Sequence, residues 1–183
     1  MRYIFFRPYW VVPRNILKNE ILPAVRRNPG YLRKHDMEIY SGSGDTGPAV
    51  PTNSANLRRV VRGELGIRER PGPKNSLGLA KFIFPNDDHV FMHGTPAQEL
   101  FSRSRRDFSH GCIRVEQPEA LAQYVLRDQP EWTAEAIRAA MHAGDERHVK
   151  LKESIPVYIV YLTAWVDDQG ALHLEKDVYG YDN

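Results

Sequence analysis

The chain has a single cysteine, Cys112, set in "FSHGCIRVE" (residues 108–116), with His110 two positions before it, Gly111 beside it and Arg114 two positions after it. A free cysteine is among the most often buried residue types, and a small packed hydrophobe is the default reading of one taken alone. The neighbours point elsewhere. Ser109, His110 and Gly111 suit an exposed bend better than a packed wall, and glycine lets a substrate approach the backbone closely. Zinc needs at least three protein ligands. His93, His110 and Cys112 could supply them, but there is no CxxC and no second cysteine. Metal binding therefore ranks behind nucleophilic catalysis, and neither metal nor cofactor is expected. A nucleophilic thiol needs a base to take its proton or an imidazolium beside the thiolate. His110 would share a face with Cys112 in an extended segment. His93 ends the strand-like stretch "HVFMHG", nineteen positions before Cys112, where a strand end can aim it into a cleft.

The elements that must position these groups read as one domain. A chain of 183 residues supports one core of ordinary size, with room for an inserted piece. Apolar residues make up 42% and the net charge is only +2, which excludes a disordered composition and argues against nucleic acid as the main partner. No apolar run approaches the roughly eighteen residues that span a bilayer. "MRYIFFRPYW" is interrupted at Arg7 and Pro8 and lacks a small-residue cleavage site, so it does not read as a signal peptide. One cysteine also excludes an intramolecular disulfide.

Local patterns predict a strand in "RYIFFRPYWVVP" and two short helices over 15–28, split at Pro23. "MEIY" (37–40) reads as a strand, "SGSGDTGPAVPTN" (41–53) as a mobile loop, and 56–78 as a short helix followed by a Pro/Gly loop. Strands follow at "LAKFIF" (79–84) and "HVFMHG" (89–94). Pro118 opens a helix with Leu121, Tyr124 and Val125 as its apolar stripe, and Thr133 caps another that places Ile137, Ala140 and Met141 on one side. "IPVYIVYLTAWV" (155–166) reads as a central strand, and "DDQG" turns into "ALHLEKD". The class is mainly β with short helices, α+β, with a helical, loop-rich segment at 14–78.

Two motifs together resemble a known signature. "HGTP" (93–96) and "SHGCIR" (109–114), with fifteen residues between His93 and Ser109, look like the L,D-transpeptidases, the YkuD-type cysteine enzymes of bacterial cell walls. "FRPYWVVP", "ILPAVRRNPGYL", "RPGPKNSLG" and "KFIFPN" resemble the long-lid subgroup. The resemblance implies a β-sandwich carrying an inserted helical lid at 14–78. It also implies Cys112 as nucleophile, His93 as base, and the Gly94 carbonyl as the group that orients the imidazole. The amides around Gly111 and Cys112 would bind the oxyanion. His110 and Arg114 would shape the site, Arg114 by meeting a substrate carboxylate, while Ser109 would hold the loop. The implied reaction is ping-pong transpeptidation of peptidoglycan tetrapeptide stems, giving 3→3 cross-links through a Cys thioester, with carbapenems as expected inhibitors. Water as acceptor would make the protein a carboxypeptidase or hydrolase. A non-catalytic wall-binding module or inactive remnant is the contrasting class. The resemblance further implies action in the periplasm or cell envelope. It implies, too, a domain lacking its N-terminal strands, whose uncovered sheet edge would promote self-association.

Overall fold

The computed structural model describes residues 1–182. Strand β1 (Tyr3–Phe6) alternates as its sequence demands, so Ile4 and Phe6 are fully buried. Arg7 takes a left-handed φ of 50° and ends the strand. Strand β2 (Trp10–Val11) then joins a different sheet, so the predicted single strand over this run is two.

A continuous helical run follows: α1 (Arg14–Ile16), one π-helical turn at Leu17–Ile21, and α2 (Leu22–Arg27). Pro23 does not split it. It occupies the first turn of α2, where the missing N–H is least needed, and the wide turn before it relieves the clash with the preceding carbonyl. The short helix α3 (Tyr31–Lys34) leads into β3 (Met37–Tyr40), every residue of which is buried. Strand β4 (Ala49–Val50) lies within the Gly/Ser-rich stretch. Helix α4 (Ser54–Val61) starts where the Asn53 side chain accepts from the Asn56 amide at 2.8 Å.

Strand β5 (Gly66–Glu69) was expected as loop. Its charges hid it: Arg68 is buried against Glu38 of β3, Nη2 to Oε1 at 2.7 Å, and paired charges can lie inside where single ones cannot. The segment 14–78 thus holds sheet as well as helix: its β3, β4 and β5 join β2, which precedes it, in the order β2-β5-β3-β4. Its own core gathers Ile16, Ile21, Val25, Leu32, Ile39, Val60 and Ile67.

The larger sheet adds β6 (Ala80–Ile83), β7 (Met92–His93) and β8 (Ile113–Arg114). Helices α5 (Pro118–Val125) and α6 (Ala134–His142) cross over to the edge strand β9 (Arg147–Lys150). The strand order is β8-β7-β6-β1-β9, antiparallel except for the parallel pair β7–β8. One face carries Ile4, Phe6, Ala80, Phe82 and Val149 and is covered by Ala122, Val125, Leu126, Ile137, Ala140 and Met141 from the two helices. Thr133 caps α6 by accepting from the Ala136 amide at 3.2 Å. Tyr124, predicted to pack inward, is instead 57% exposed; Ala122 takes the inward position beside Val125.

The predicted central strand over 155–166 is the largest departure. Only β10 (Ala164–Val166) is strand, paired with β11 (Leu172–Leu174) in a two-stranded ribbon. Tyr158, Ile159, Val160 and Leu162 are exposed. An apolar run becomes a central strand only where neighbours pair with both its edges, and no described strand does so for 155–162. The α+β class inferred from the sequence holds. Among the described residues no helix is long and apolar enough to cross a membrane.

Candidate active site

The face of the larger sheet turned away from α5 and α6 carries the chemistry. Register places Arg114 opposite His93, His93 opposite Lys81, Lys81 opposite Phe5 and Phe5 opposite His148. Residues directly opposite share a face, and alternation returns Cys112 to that face two positions before Arg114. The short parallel pair β7–β8 is anchored by the Ile113 amide donating to Phe91 O at 3.0 Å and the Val115 amide donating to His93 O at 2.8 Å. His93 and Cys112 thereby border one cleft of about 650 Å³, between the sheet and the 14–78 segment. A second hollow of about 640 Å³ lies across the Cys112 loop, edged by Phe101, Phe108, Ile159 and Tyr179.

His93 is only 6% exposed. Its Nδ1 lies 2.5 Å from Gly94 O; a carbonyl only accepts, so Nδ1 carries the proton and Nε2 is left bare as an acceptor. Burial lowers the imidazole pKa below its ordinary value; the Gly94 bond works against that shift, and the charges of Arg114 and Lys81 add to it. A neutral ring with a bare Nε2 can take a thiol proton. The Gly94 carbonyl is itself held in place. Gly94 N donates to Ala80 O at 2.9 Å, and Gly78, at a φ of +63°, packs so tightly that a Cβ there would sit 2.6 Å from Gly94 C and Thr95 N.

Cys112 is half-buried, at the end of a loop whose Gly111 has a φ of +125°. Ser109 Oγ accepts from the Gly111 amide at 3.0 Å, so that amide is engaged, while the Cys112 amide has no partner among the described residues. Arg114 Nη1 donates to Phe108 O at 3.1 Å, bracing the loop, and its buried Nε has no partner. His110 is not beside the thiol's base: its Nε2 reaches across the cleft to Glu20 Oε1 at 3.2 Å, in the π-helical turn of the 14–78 segment. Of the residues singled out in the sequence, His93, Ser109, His110, Gly111, Cys112 and Arg114 all line this cleft, with Gly94 O bonded to the His93 ring and His110 directed at Glu20.

His89 and His93 stand four apart, a metal-ligand spacing on a helix, but this stretch is not helical and His89 is exposed at a φ of 54°. Asp45, Glu146 and His148 offer atoms within 4.8 Å of one another. Glu146 there is already used, its Oε1 accepting from the Tyr9 amide at 3.2 Å and its Oε2 lying 3.4 Å from His148 Nε2. Two cleft residues escaped sequence reasoning, Lys81 and Asp45. For Lys81 the signal was present: in "LAKFIF" it alternates against Ala80 and Phe82, so it must face away from the core. Nothing local marked Asp45, which reaches the cleft only because its loop folds back.

Residues 1–159 match the family model described as YkuD, the L,D-transpeptidase catalytic domain. A Haemophilus influenzae protein named "Putative L,D-transpeptidase" is 29% identical over 181 residues, 98% of this chain and 36% of that protein. The chain thus spans about a third of the length of the curated relative it matches.

Proposed function

The chain belongs to the YkuD family of L,D-transpeptidase catalytic domains, and from that premise we propose that it is a cysteine acyltransferase acting on peptidoglycan stem peptides in the cell envelope. The observation that carries this reading is the shared cleft of Cys112 and a buried His93 whose Nδ1 proton is committed to Gly94 O.

His93 Nε2 takes the proton from Cys112 Sγ as sulfur attacks the carbonyl carbon of the third stem residue. Negative charge gathers on the carbonyl oxygen, where the free Cys112 amide donates to it; the Gly111 amide joins only if Ser109 Oγ lets go. The imidazolium then returns its proton to the leaving nitrogen, terminal D-alanine departs, and a thioester remains. An amine of a second stem attacks that thioester and gives its proton to His93, and the thiol reforms. One amide is broken and one made, so the exchange needs no cofactor. In this reading Arg114, braced by its bond to Phe108 O, meets a substrate carboxylate. Residues 14–78 act as the lid of the cleft, with His110–Glu20 as a contact between lid and loop.

A carbapenem mimics the attacked amide, and intact mass spectrometry reads its capture. One covalent equivalent is expected on the protein and none on Cys112→Ala. An adduct on the alanine variant, or none on the folded unsubstituted protein, refutes the assignment.

A further inference from the structure

A hollow of about 560 Å³ opens in the 14–78 segment, between the α1–α2 helical run and the turn that joins α4 to β5. Arg14, Lys18, Leu22 and Arg26 of that run all line it. An α-helix turns about 100° per residue, so positions four apart drift by about 40° a step. The π-helical turn at Leu17–Ile21 winds more slowly and keeps the four in one row. The same run gives Asn15, Ile16 and Glu20 to the Cys112 cleft, so hollow and cleft lie on different flanks of it.

The three cations of the row are exposed and make no ion pair with any described residue. Among the described residues lining the hollow Glu64 alone is acidic, and Arg59 and Arg62 already hold both its oxygens. Arg14 reaches across to the far wall, where a Cβ added at Gly63 would sit 3.0 Å from its Nη1. Beneath the charges the floor is apolar. Val60 and Leu65 belong to the buried core of the segment, Leu17 and Leu22 pack on it only in part, and Val61 is 57% exposed. Basic charge is concentrated here: residues 14–64 hold nine Lys or Arg against five Asp or Glu, a net +4 in a chain whose net charge is +2.

Cations set around an apolar floor suit an amphiphile whose phosphate and hydrocarbon lie side by side. A soluble polyanion would use the charges and leave the floor wet, and an apolar peptide would leave three cations uncompensated. We propose that this face of the 14–78 segment docks on an anionic phospholipid membrane surface. Arg14, Lys18 and Arg26 meet lipid phosphates, while Leu17, Leu22 and Val61 press against the first methylenes of the chains. Docking involves neither Cys112 nor His93, so it goes beyond the acyl-transfer reading and stands apart from it.

Flotation with vesicles of phosphatidylcholine, alone or mixed with phosphatidylglycerol, tests the docking. Each cation near an anionic leaflet strengthens binding about fivefold, so three favour the mixed vesicles by roughly a hundredfold. Lys18→Glu plus Arg26→Glu should lower that binding by about twenty-fivefold or more. Arg33→Glu plus Lys34→Glu, on exposed α3 residues outside the hollow, changes the net charge equally and should cost at most about fivefold. Val61→Ser should cost roughly fivefold through lost apolar burial. On the unsubstituted protein the mixed vesicles should slow hydrogen exchange at 14–26 and 58–66 and leave 158–162 unchanged, a readout that needs no variant to fold. Equal binding to both vesicles, equal losses from the two charge reversals, or protection confined to 158–162 overturns the proposal. So does a Val61→Ser protein that binds undiminished, because the face would then hold soluble polyanions rather than a membrane.

Discussion

Gly78 never touches a substrate, yet its replacement by alanine should slow the chemistry. An L-residue at its φ of +63° pays about 1–2 kcal/mol for the left-handed conformation. The larger effect is steric. The new methyl would lie 2.6 Å from Gly94 C and Thr95 N, whereas ordinary contact begins at 3.4 Å, so about 0.8 Å must be found. Both opposing atoms are backbone, and neither can swing aside. The peptide that moves carries Gly94 O, the acceptor of the His93 Nδ1 proton. Misplacement of a catalytic group by near 1 Å costs on the order of a hundredfold in rate. Gly78→Ala is therefore expected to cut the rate of carbapenem acylation of Cys112, followed by intact mass, by roughly ten- to a hundredfold. Its Tm should fall by roughly 5 °C, since 1 kcal/mol is worth about 2–4 °C in a domain of this size. Gly170→Ala is the control. Its φ is +81° with nothing within 4 Å of the added Cβ, so it bears the conformational strain without the displacement and should acylate normally. If Gly78→Ala reacts as fast as Gly170→Ala, the claim that the Gly78–Gly94 contact positions the base is refuted.

Further outcomes follow from the structure. His93→Ala should slow acylation by about a hundredfold to ten-thousandfold, with His110→Ala much milder because its ring faces Glu20; the reverse order refutes the assignment. The folded pKa of His93 is depressed below 6.5, so the unfolded chain binds the proton first as pH falls. Its contribution to stability is therefore full above pH 6.5 and lost below it, toward the folded pKa. The acid limb of the acylation rate should likewise fall below that value, and a limb above it contradicts a buried neutral base. The exposed run at Tyr158, Ile159, Val160 and Leu162, with Val160 70% exposed, is expected to drive self-association. Size-exclusion chromatography should show it, with relief on Ile159→Ser plus Val160→Ser, and a concentrated monomer would count against it.

Wherever one short stretch carried the information, the sequence was sufficient. The alternation in "YIFF" and "LAKFIF", the Pro118 and Thr133 helix starts, and the pairing of "HGTP" with "SHGCIR" all appear in the structure as strands, caps and one cleft. Steric preference, hydrophobic period and side-chain capping act within a few residues, so they can be read there. What eluded that reading depends on partners distant in the chain. Strand β5 is a strand because Glu38, thirty residues earlier, neutralises Arg68. Residues 155–162, as β-prone as any in the chain, are not in a sheet because no described strand pairs with them. His110 and His93 could each have been the base by spacing alone. The parallel register of β7 on β8 and the reach of His110 to Glu20, which the proposed base assignment rests on, are not legible there. Lys81 and Asp45 are 36 positions apart in the chain and share a cleft because Arg68 pins one loop over the sheet that bears the other. The sequence by itself determined which groups could do the chemistry and which faces of the strands in "YIFF" and "LAKFIF" would be buried. Tertiary structure decided which groups meet, because proximity between residues far apart in the chain is set by pairing and packing that no local pattern encodes.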